Sequence, residues 1–251
     1  MIFDGDVSEK RISLRPRLSA ALKLLGECEC LADIGCDHGR FSVAALQHGT
    51  AKKVIASDIS AASLEKAKLL AAHCGCTGQI EFRCTDGFTG FAPCEIDKAV
   101  LTGMGGELIV SILKKNIPVV DVLKKIVMQP MRGEAELRKY LYTNGFAVLD
   151  EEVIFDSGRY YQVISAQRGT PSPVPLFWPD DFWQFGPNAF LKHDENLLKL
   201  MQKYLSALSR KLNEAESRGR FPEPLIREKD NTEKLIKLFS ISEPHFPASD
   251  V

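Results

Sequence analysis

The sequence predicts an α/β fold: a mostly parallel sheet with helices between its strands, a terminal antiparallel strand, and a C-terminal helical hairpin or coiled coil. Three observations carry this. Short Val/Ile/Ala-rich runs that stop at Asp, Gly or Pro alternate with amphipathic runs from Cys30 to Tyr142. After Gly145 two β-rich runs follow one another with no helix between them. Beyond Glu195 apolar residues recur at steps of three and four, which is a helical period.

The first helical stripe is Ile12 to Leu25, with Arg15 and Arg17 flanking Pro16. A strand, Cys30–Ile34, breaks into the turn Gly35-Cys36-Asp37-His38-Gly39, and a helix follows from about Phe41 to His48. Lys53–Ser57 is the second strand, ending at Asp58-Ile59, and Ser60 is a good N-cap for the helix through Ala72. Gln79–Cys84 and Ile96–Leu101 are the third and fourth strands, ending in Asp86-Gly87 and in Thr102-Gly103-Met104-Gly105-Gly106. Glu107–Lys115 is a helix, Lys125–Gln129 a strand closed by Pro130, and Glu134–Tyr142 a helix stopped by Asn144-Gly145. Ala147–Phe155 and Tyr160–Gln167 then form a hairpin around Asp156–Arg159. These elements place a first domain at residues 1–168.

Residues 169–189 read as a linker, with four prolines between Gly169 and Pro179. The aromatics Phe182, Trp183, Phe185 and Phe190 either anchor an appendage to the domain or offer rings to bases, and the anchor is favoured because clustered aromatics are mainly core material. Residues 190–251 form the helical region. Its first helix, Glu195–Glu216, has a seam of Leu198, Met201, Leu205, Leu208, Leu212 and Ala215, and Asn231–Phe239 makes a short second one. Such a pair suits either a monomer or a homodimer joined through these helices.

Composition excludes several classes. No apolar run approaches the roughly 20 residues of a membrane helix, and Met1–Lys10 carries three acids and no signal-like run, so a cytoplasmic protein without a membrane partner is expected. Seven cysteines in 251 residues suit reduced thiols. Cys28-x-Cys30 and Cys74-x-Cys76 are spaced too closely for a metal knuckle, so no metal is expected. Residues 1–168 hold 21 Lys/Arg against 21 Asp/Glu. A balance like that argues against a chain that is basic all over, although residues 190–239 have a small basic surplus.

In open α/β sheets ligands lie at the carboxyl ends of the strands. Here three successive strands end in or beside an aspartate: Asp33, Asp58 and Asp86. Acids repel a phosphate-bearing cofactor and attract a ligand with ribose hydroxyls, an amine and positive charge, and S-adenosylmethionine has all three. In that reading Gly35 and Gly39 admit the methionine part, Asp33 holds the turn or takes the ammonium, Asp58 with Ile59 takes the ribose, and Asp86 with Gly87 the adenine. The plainer account of Asp58 and Asp86 is that they cap the helices that follow.

The run Asp33-Ile-Gly-Cys-Asp-His-Gly39, with Asp86-Gly87, Gly103-Met-Gly-Gly106, Gln129-Pro130 and Asp156-Ser-Gly-Arg-Tyr-Tyr161, resembles the bacterial tRNA (adenine-22-N1)-methyltransferase family. Phe185-Gly-Pro-Asn188 and the helical tail resemble that family's coiled-coil region, and the match spans about residues 12 to 215. The chain departs at Met131, where members tend to carry asparagine. The resemblance implies a Rossmann-like class I methyltransferase that uses S-adenosylmethionine to methylate an adenosine N1 in tRNA. Asp37, His38, Gly103, Met104 and Gly105 are then the candidates facing the target base. His38 is either a base or hydrogen-bond partner for the target or a side chain that only fixes its loop, and the glycines either admit a base or make a tight turn. Phosphate contacts fall to Arg15, Arg17 and Arg132 and, on the tail, to Lys199, Lys203 and Arg210 (with Lys211). Two rivals stay open: a methyltransferase of the same fold acting on a small molecule or protein, and a non-catalytic binding scaffold.

Overall fold

A computed structural model describes residues 11–241; the acidic start Met1–Lys10 and residues 242–251 of the tail lie outside the described residues. Seven strands form one sheet in the order β3-β2-β1-β4-β5-β7-β6. They are β1 (Cys28–Ile34), β2 (Ala51–Asp58), β3 (Ile80–Cys84), β4 (Lys98–Met104), β5 (Lys125–Pro130), β6 (Phe146–Asp156) and β7 (Arg159–Arg168). The first five are parallel, and β7 runs antiparallel to both β5 and β6. The reversed strand is therefore the last in sequence but sits inside the sheet, with β6 at the edge. Strand order turns back between β1 and β4, and a cleft opens there.

Helices α1 (Pro16–Leu25), α2 (Arg40–Gln47) and α3 (Ala61–His73) pack one face, and α4 (Gly106–Lys115), α5 (Ile117–Val120) and α6 (Glu134–Thr143) the other. In β1, Leu31 faces the first layer while Ala32 and Ile34 face the second. Strands buried on both faces need continuous apolar runs, which is why the parallel strands do not alternate with polar residues.

The sequence expectation places α1 four residues too early. Pro16 holds the residue before it extended, and Arg15 has φ −63° and ψ 153°, so Ile12 to Leu14 approach the helix as extended chain. At the other end Lys98 and Lys125 donate to the Leu25 and Leu24 carbonyls at 2.7 and 2.9 Å, satisfying two acceptors the helix leaves open. β4 runs three residues past its expected end, through a bulge between Thr102 and Met104 where Gly103 takes φ 79°. The β6–β7 turn is tighter than expected: Asp156 pairs with Arg159, and Ser157 (φ 50°) and Gly158 (φ 82°) make a two-residue turn of the type that matches strand twist.

A third cluster lies beyond β6. Phe182, Phe185 and Phe190, with Trp178, are buried against Val153 of β6, Leu197 and Met201 of α8 (Glu195–Glu216), and Leu235 and Phe239 of α9 (Glu223–Ile241). Phe190 meets Phe239 edge to face at 5.2 Å. These aromatics are core, not a stacking surface. The buried stripe of α8 starts at Leu197 rather than Leu198, and α9 begins eight residues earlier than expected. Pro222 and Pro224 read as breakers, yet a helix accommodates proline in its first turn. A short α7 (Pro187–Leu191) carries the chain to Asp194. That residue caps α8 through Oδ1, which accepts from the amides of Asn196 (2.8 Å) and Leu197 (3.3 Å), while its Oδ2 accepts from the Val153 amide at 2.8 Å. Asn196 donates to the Val153 carbonyl, so both outward backbone groups of Val153 on the edge strand are occupied.

Arg138 of α6 is wholly buried. It donates to Glu151 of β6 (2.7 Å), Gln162 of β7 (3.0 Å) and the Trp183 carbonyl (2.6 Å), while Glu151 also accepts from the Asn188 amide (3.2 Å). A Cβ on Gly186 would overlap the Glu151 carboxylate. One ion pair thus joins α6, the hairpin and residues 183–188.

A candidate active site at the switch point

The turn after β1 is built on left-handed backbone. Gly35, Asp37 and Gly39 have φ of 71°, 49° and 69°; aspartate is among the few non-glycine residues that tolerate this. A Cβ on Gly35 would displace the tip of the Met104 side chain, and one on Gly39 would press on Ala67 of α3. The amides of Gly35 and Cys36 donate to the Ser57 carbonyl at 2.8 and 2.9 Å, tying the turn to β2. Asp58 completes the frame: its Oδ2 accepts from the Asp37 amide (3.0 Å) and its Oδ1 from the Ser60 amide (2.8 Å).

Around this turn lies a cleft of two lobes. The larger, about 460 Å³, is bounded by Asp58, Ile59, Asp86 and Gly87 on one side and by Met104, Leu108 and Met131 on the other. Ile59 is 75%, Leu108 51% and Met131 39% exposed, so exposed apolar side chains stand beside Asp58 and Asp86 in the lining. A flat ring entering here would cover those side chains. The second lobe, about 370 Å³, is bounded by Arg15, Arg17, His38 and Arg40, with Asp33 and Cys36 beneath. Arg17, Gly35, Asp37, Thr102 and Gly103 border both.

Asp33 is 2% exposed and accepts from Ser42 Oγ at 2.6 Å. Burial raises its pKa to about 6, partly offset by that bond and reinforced by the charge of Asp58. It therefore holds the start of α2 and also borders the cleft. Burial pushes the Cys36 thiol well above its ordinary range, which leaves it neutral and a poor nucleophile. His38 Nε2 lies 3.3 Å from Lys66 Nζ and 3.5 Å from Asp37 Oδ1, on the solvent side of the turn. Asp86 is exposed and pairs with Lys115 at 3.3 Å.

Arg17 gathers two stretches far from it in sequence, β5 and the β6–β7 hairpin. Its Nη1 donates to Gln129 at 2.5 Å, its Nε is 3.6 Å from Asp156 Oδ2, and its guanidinium lies 5.5 Å from the Tyr161 ring centre. Gln129 and Asp156 are buried, and that Asp156 oxygen makes no hydrogen bond among the described residues. The side chain is thus held from behind while it borders both lobes.

The glycines after Thr102 divide. A Cβ on Gly103 would meet open space. One on Gly106 would overlap the Gly133 carbonyl oxygen, and the Gly106 amide donates to Arg132 at 2.8 Å. Gly106 is a packing glycine and Gly105 does not border the cleft; only Gly103 and Met104 do. Gly106→Ala should therefore lower stability by several kcal/mol, since the clash is with backbone that cannot swing aside, whereas Gly105→Ala should cost less than about 1 kcal/mol; urea unfolding of the two variants measures this.

Arg132 lies outside the lining, with Nε near Gly105. Lys199, Lys203 and Arg210 are exposed on α8 and do not border the cleft, and Lys203 reaches the Gly158 carbonyl at the hairpin tip (3.4 Å). Sequence reasoning missed Arg40, which follows Gly39 directly, and Leu108 and Met131, whose place in the lining depends on how β4 and β5 end side by side.

Residues 14–164 match the methyltransferase-domain family. The tRNA (adenine(22)-N(1))-methyltransferase of Bacillus subtilis is 28% identical over 158 residues, which are 63% of this chain and 66%, just under two thirds, of that protein. Among solved structures, Streptococcus pneumoniae Sp1610 has a TM-score of 0.79 at 21% identity, covering 89% of this chain and all of that one. The Mycoplasma capricolum protein solved with S-adenosyl-homocysteine has a TM-score of 0.76 at 21% identity, covering 90% and 98%. With its parallel five-strand core, its reversed strand and its acidic strand ends, the chain belongs to the class I methyltransferase-domain family, among the relatives of the bacterial tRNA (adenine-22-N1)-methyltransferases.

Proposed function

We propose that the chain methylates N1 of an adenosine in tRNA with S-adenosylmethionine as donor, adenine-22 being the position in the name of the Bacillus relative. The observation that carries this is the meeting of an acidic lobe with exposed apolar side chains and an arginine-lined lobe at Gly35, Asp37, Thr102 and Gly103. The acidic lobe suits the donor. Asp58 still has a lone pair on each oxygen for the ribose hydroxyls, Gly35 leaves the backbone bare, and Asp33, beneath the neighbouring arginine lobe, offers charge to an ammonium placed at the turn the two lobes share. The bound donor supplies an electrophilic methyl group on a sulfonium. The arginine lobe suits the phosphates of a polynucleotide.

Adenine N1 has a lone pair and no proton to remove, so no strong general base is required. Catalysis is then mainly positioning, which is worth about 7–11 kcal/mol at best. Thr102 and Gly103 would bring the base edge against backbone, and the Asp37 carboxylate would stabilise the positive charge that grows on the ring. Among the described residues no helix is long and apolar enough to cross a membrane; we place the enzyme with its tRNA in the cytoplasm.

The test is transfer of labelled methyl groups to unmodified tRNA transcripts, followed by mapping of the modified nucleoside. 1-Methyladenosine at one position is expected, and cofactor binding without transfer to any transcript would refute the reading. Asp58→Ala should weaken cofactor binding about 10- to 100-fold, since a charged acceptor is lost and the Asp37 amide is released; unchanged affinity by calorimetry would remove Asp58 from the ribose.

A further inference from the structure

We propose that the tip of the β6–β7 hairpin and the adjoining flank of α8 form the docking surface for the RNA strand that leads into the cleft, with Phe155 and Tyr160 stacking an unpaired base beside the target nucleotide. This rests on the tRNA reading above and names a part of the surface that reading leaves open.

The topology puts the tip in the right place. β6 and β5 both run antiparallel to β7, so β6 ends at the same edge of the sheet as the strands that build the cleft. From β4 to β6 is three strand spacings, about 14 Å. On one side of the β6 end Asp156 pairs with Arg17, which borders both lobes. On the other side stand Phe155 and its cross-strand partner Tyr160, with ring centres 5.0 Å apart at 52°.

Their surroundings point to a nucleic-acid strand. Phe155 is 51% exposed, whereas Phe182, Phe185 and Phe190 are buried in the core. Lys203 Nζ lies 5.8 Å from the Tyr160 ring centre and donates to the Gly158 carbonyl, and Arg159 is exposed in the tip. Lys199 and Arg210, four residues before and seven after Lys203, lie on the same flank of α8 and are exposed. An exposed ring backed by a half-buried one, with cations beside them, suits single-stranded RNA: a base stacks on the open ring while phosphates meet the charges. The low net charge of the chain is compatible with this, because Lys199, Lys203 and Arg210 share one flank, with Glu195 and Glu214 only at its two ends.

The experiment uses the full chain, a labelled unmodified tRNA transcript and fluorescence anisotropy at several salt concentrations, beside methyl-transfer kinetics and calorimetry with S-adenosyl-homocysteine. Phe155→Leu should weaken tRNA binding about tenfold and raise KM, Phe155→Trp should restore both, and cofactor affinity should stay unchanged. Lys203→Gln, on an exposed helix flank, should reduce the salt slope by about one and keeps the test open if the strand-end variant folds poorly. Wild-type affinity in both Phe155→Leu and Lys203→Gln, in a protein that methylates tRNA normally, would place the docking surface elsewhere. Equal affinities for the leucine and tryptophan variants, both weakened, would make Phe155 a packing residue and overturn the stacking role. A wild-type chain that binds cofactor yet methylates no transcript would refute the tRNA reading, and this surface with it.

Discussion

Arg138→Met will lower the free energy of unfolding by about 3–5 kcal/mol, because it strands a buried carboxylate. Arg138 has no exposure and Glu151 only 2%. Removing the guanidinium leaves Glu151 with the Asn188 amide alone, and frees Gln162 and the Trp183 carbonyl of their donor. The damage should spread to the third cluster, since residues 183–188 are held to the sheet through this pair. Urea unfolding followed by tryptophan fluorescence is the measurement, as Trp178 and Trp183 both lie in that region. Arg138→Met combined with Glu151→Leu should recover part of the loss, because an apolar pair leaves no buried charge. A single-variant loss below about 1 kcal/mol would mean that water reaches the site and solvates Glu151.

Asp33→Asn should act in opposite directions on stability and on binding. The folded-state pKa of Asp33 is raised to about 6 from an ordinary 3.8, mainly by burial. A carboxyl raised in this way binds more protons folded than unfolded between those two pH values. Its contribution to stability is therefore fully present below about pH 4 and lost as pH rises toward 6. By neutral pH the fold has lost about 3 kcal/mol of the stability this group gives it at low pH. Asparagine keeps an acceptor for Ser42 without the charge, so the variant should be more stable than the parent at pH 7.5, with the difference vanishing near pH 4. Cofactor affinity should fall about tenfold or more, because a carboxylate bordering the cleft no longer meets the donor's ammonium. Urea melts at the two pH values and calorimetry at neutral pH decide it. A variant less stable at pH 7.5 would show that the charge is compensated in the fold, and unchanged affinity would confine Asp33 to holding α2.

Most of the architecture was legible in the residues. Continuous apolar strands between amphipathic stripes signal a sheet covered on both faces, and the two β-rich runs after Gly145 signal the reversal. Glu195–Glu216 was readable to the residue because its apolar stripe is long, and the structure adds the cap at Asp194. Errors fell where a local rule met a neighbouring element. The five glycine-rich residues after Leu101 look like a turn, but β4 continues beside β5 because bulging at Gly103 costs glycine little.

The sequence by itself determined the order of elements and the series of aspartates at strand ends, because backbone periodicity and capping are local properties of the chain. Only the tertiary structure decided what those residues do together. It separated Gly103, which opens on the cleft, from Gly106, which packs on Gly133. It joined Arg17 to Gln129 and Asp156, 112 and 139 positions away in sequence, and it buried one set of aromatics while leaving Phe155 exposed near the end of β6. Neither spacing nor propensity encodes those outcomes. They depend on which strand ends the sheet order brings side by side, and on how much room its packed layers leave.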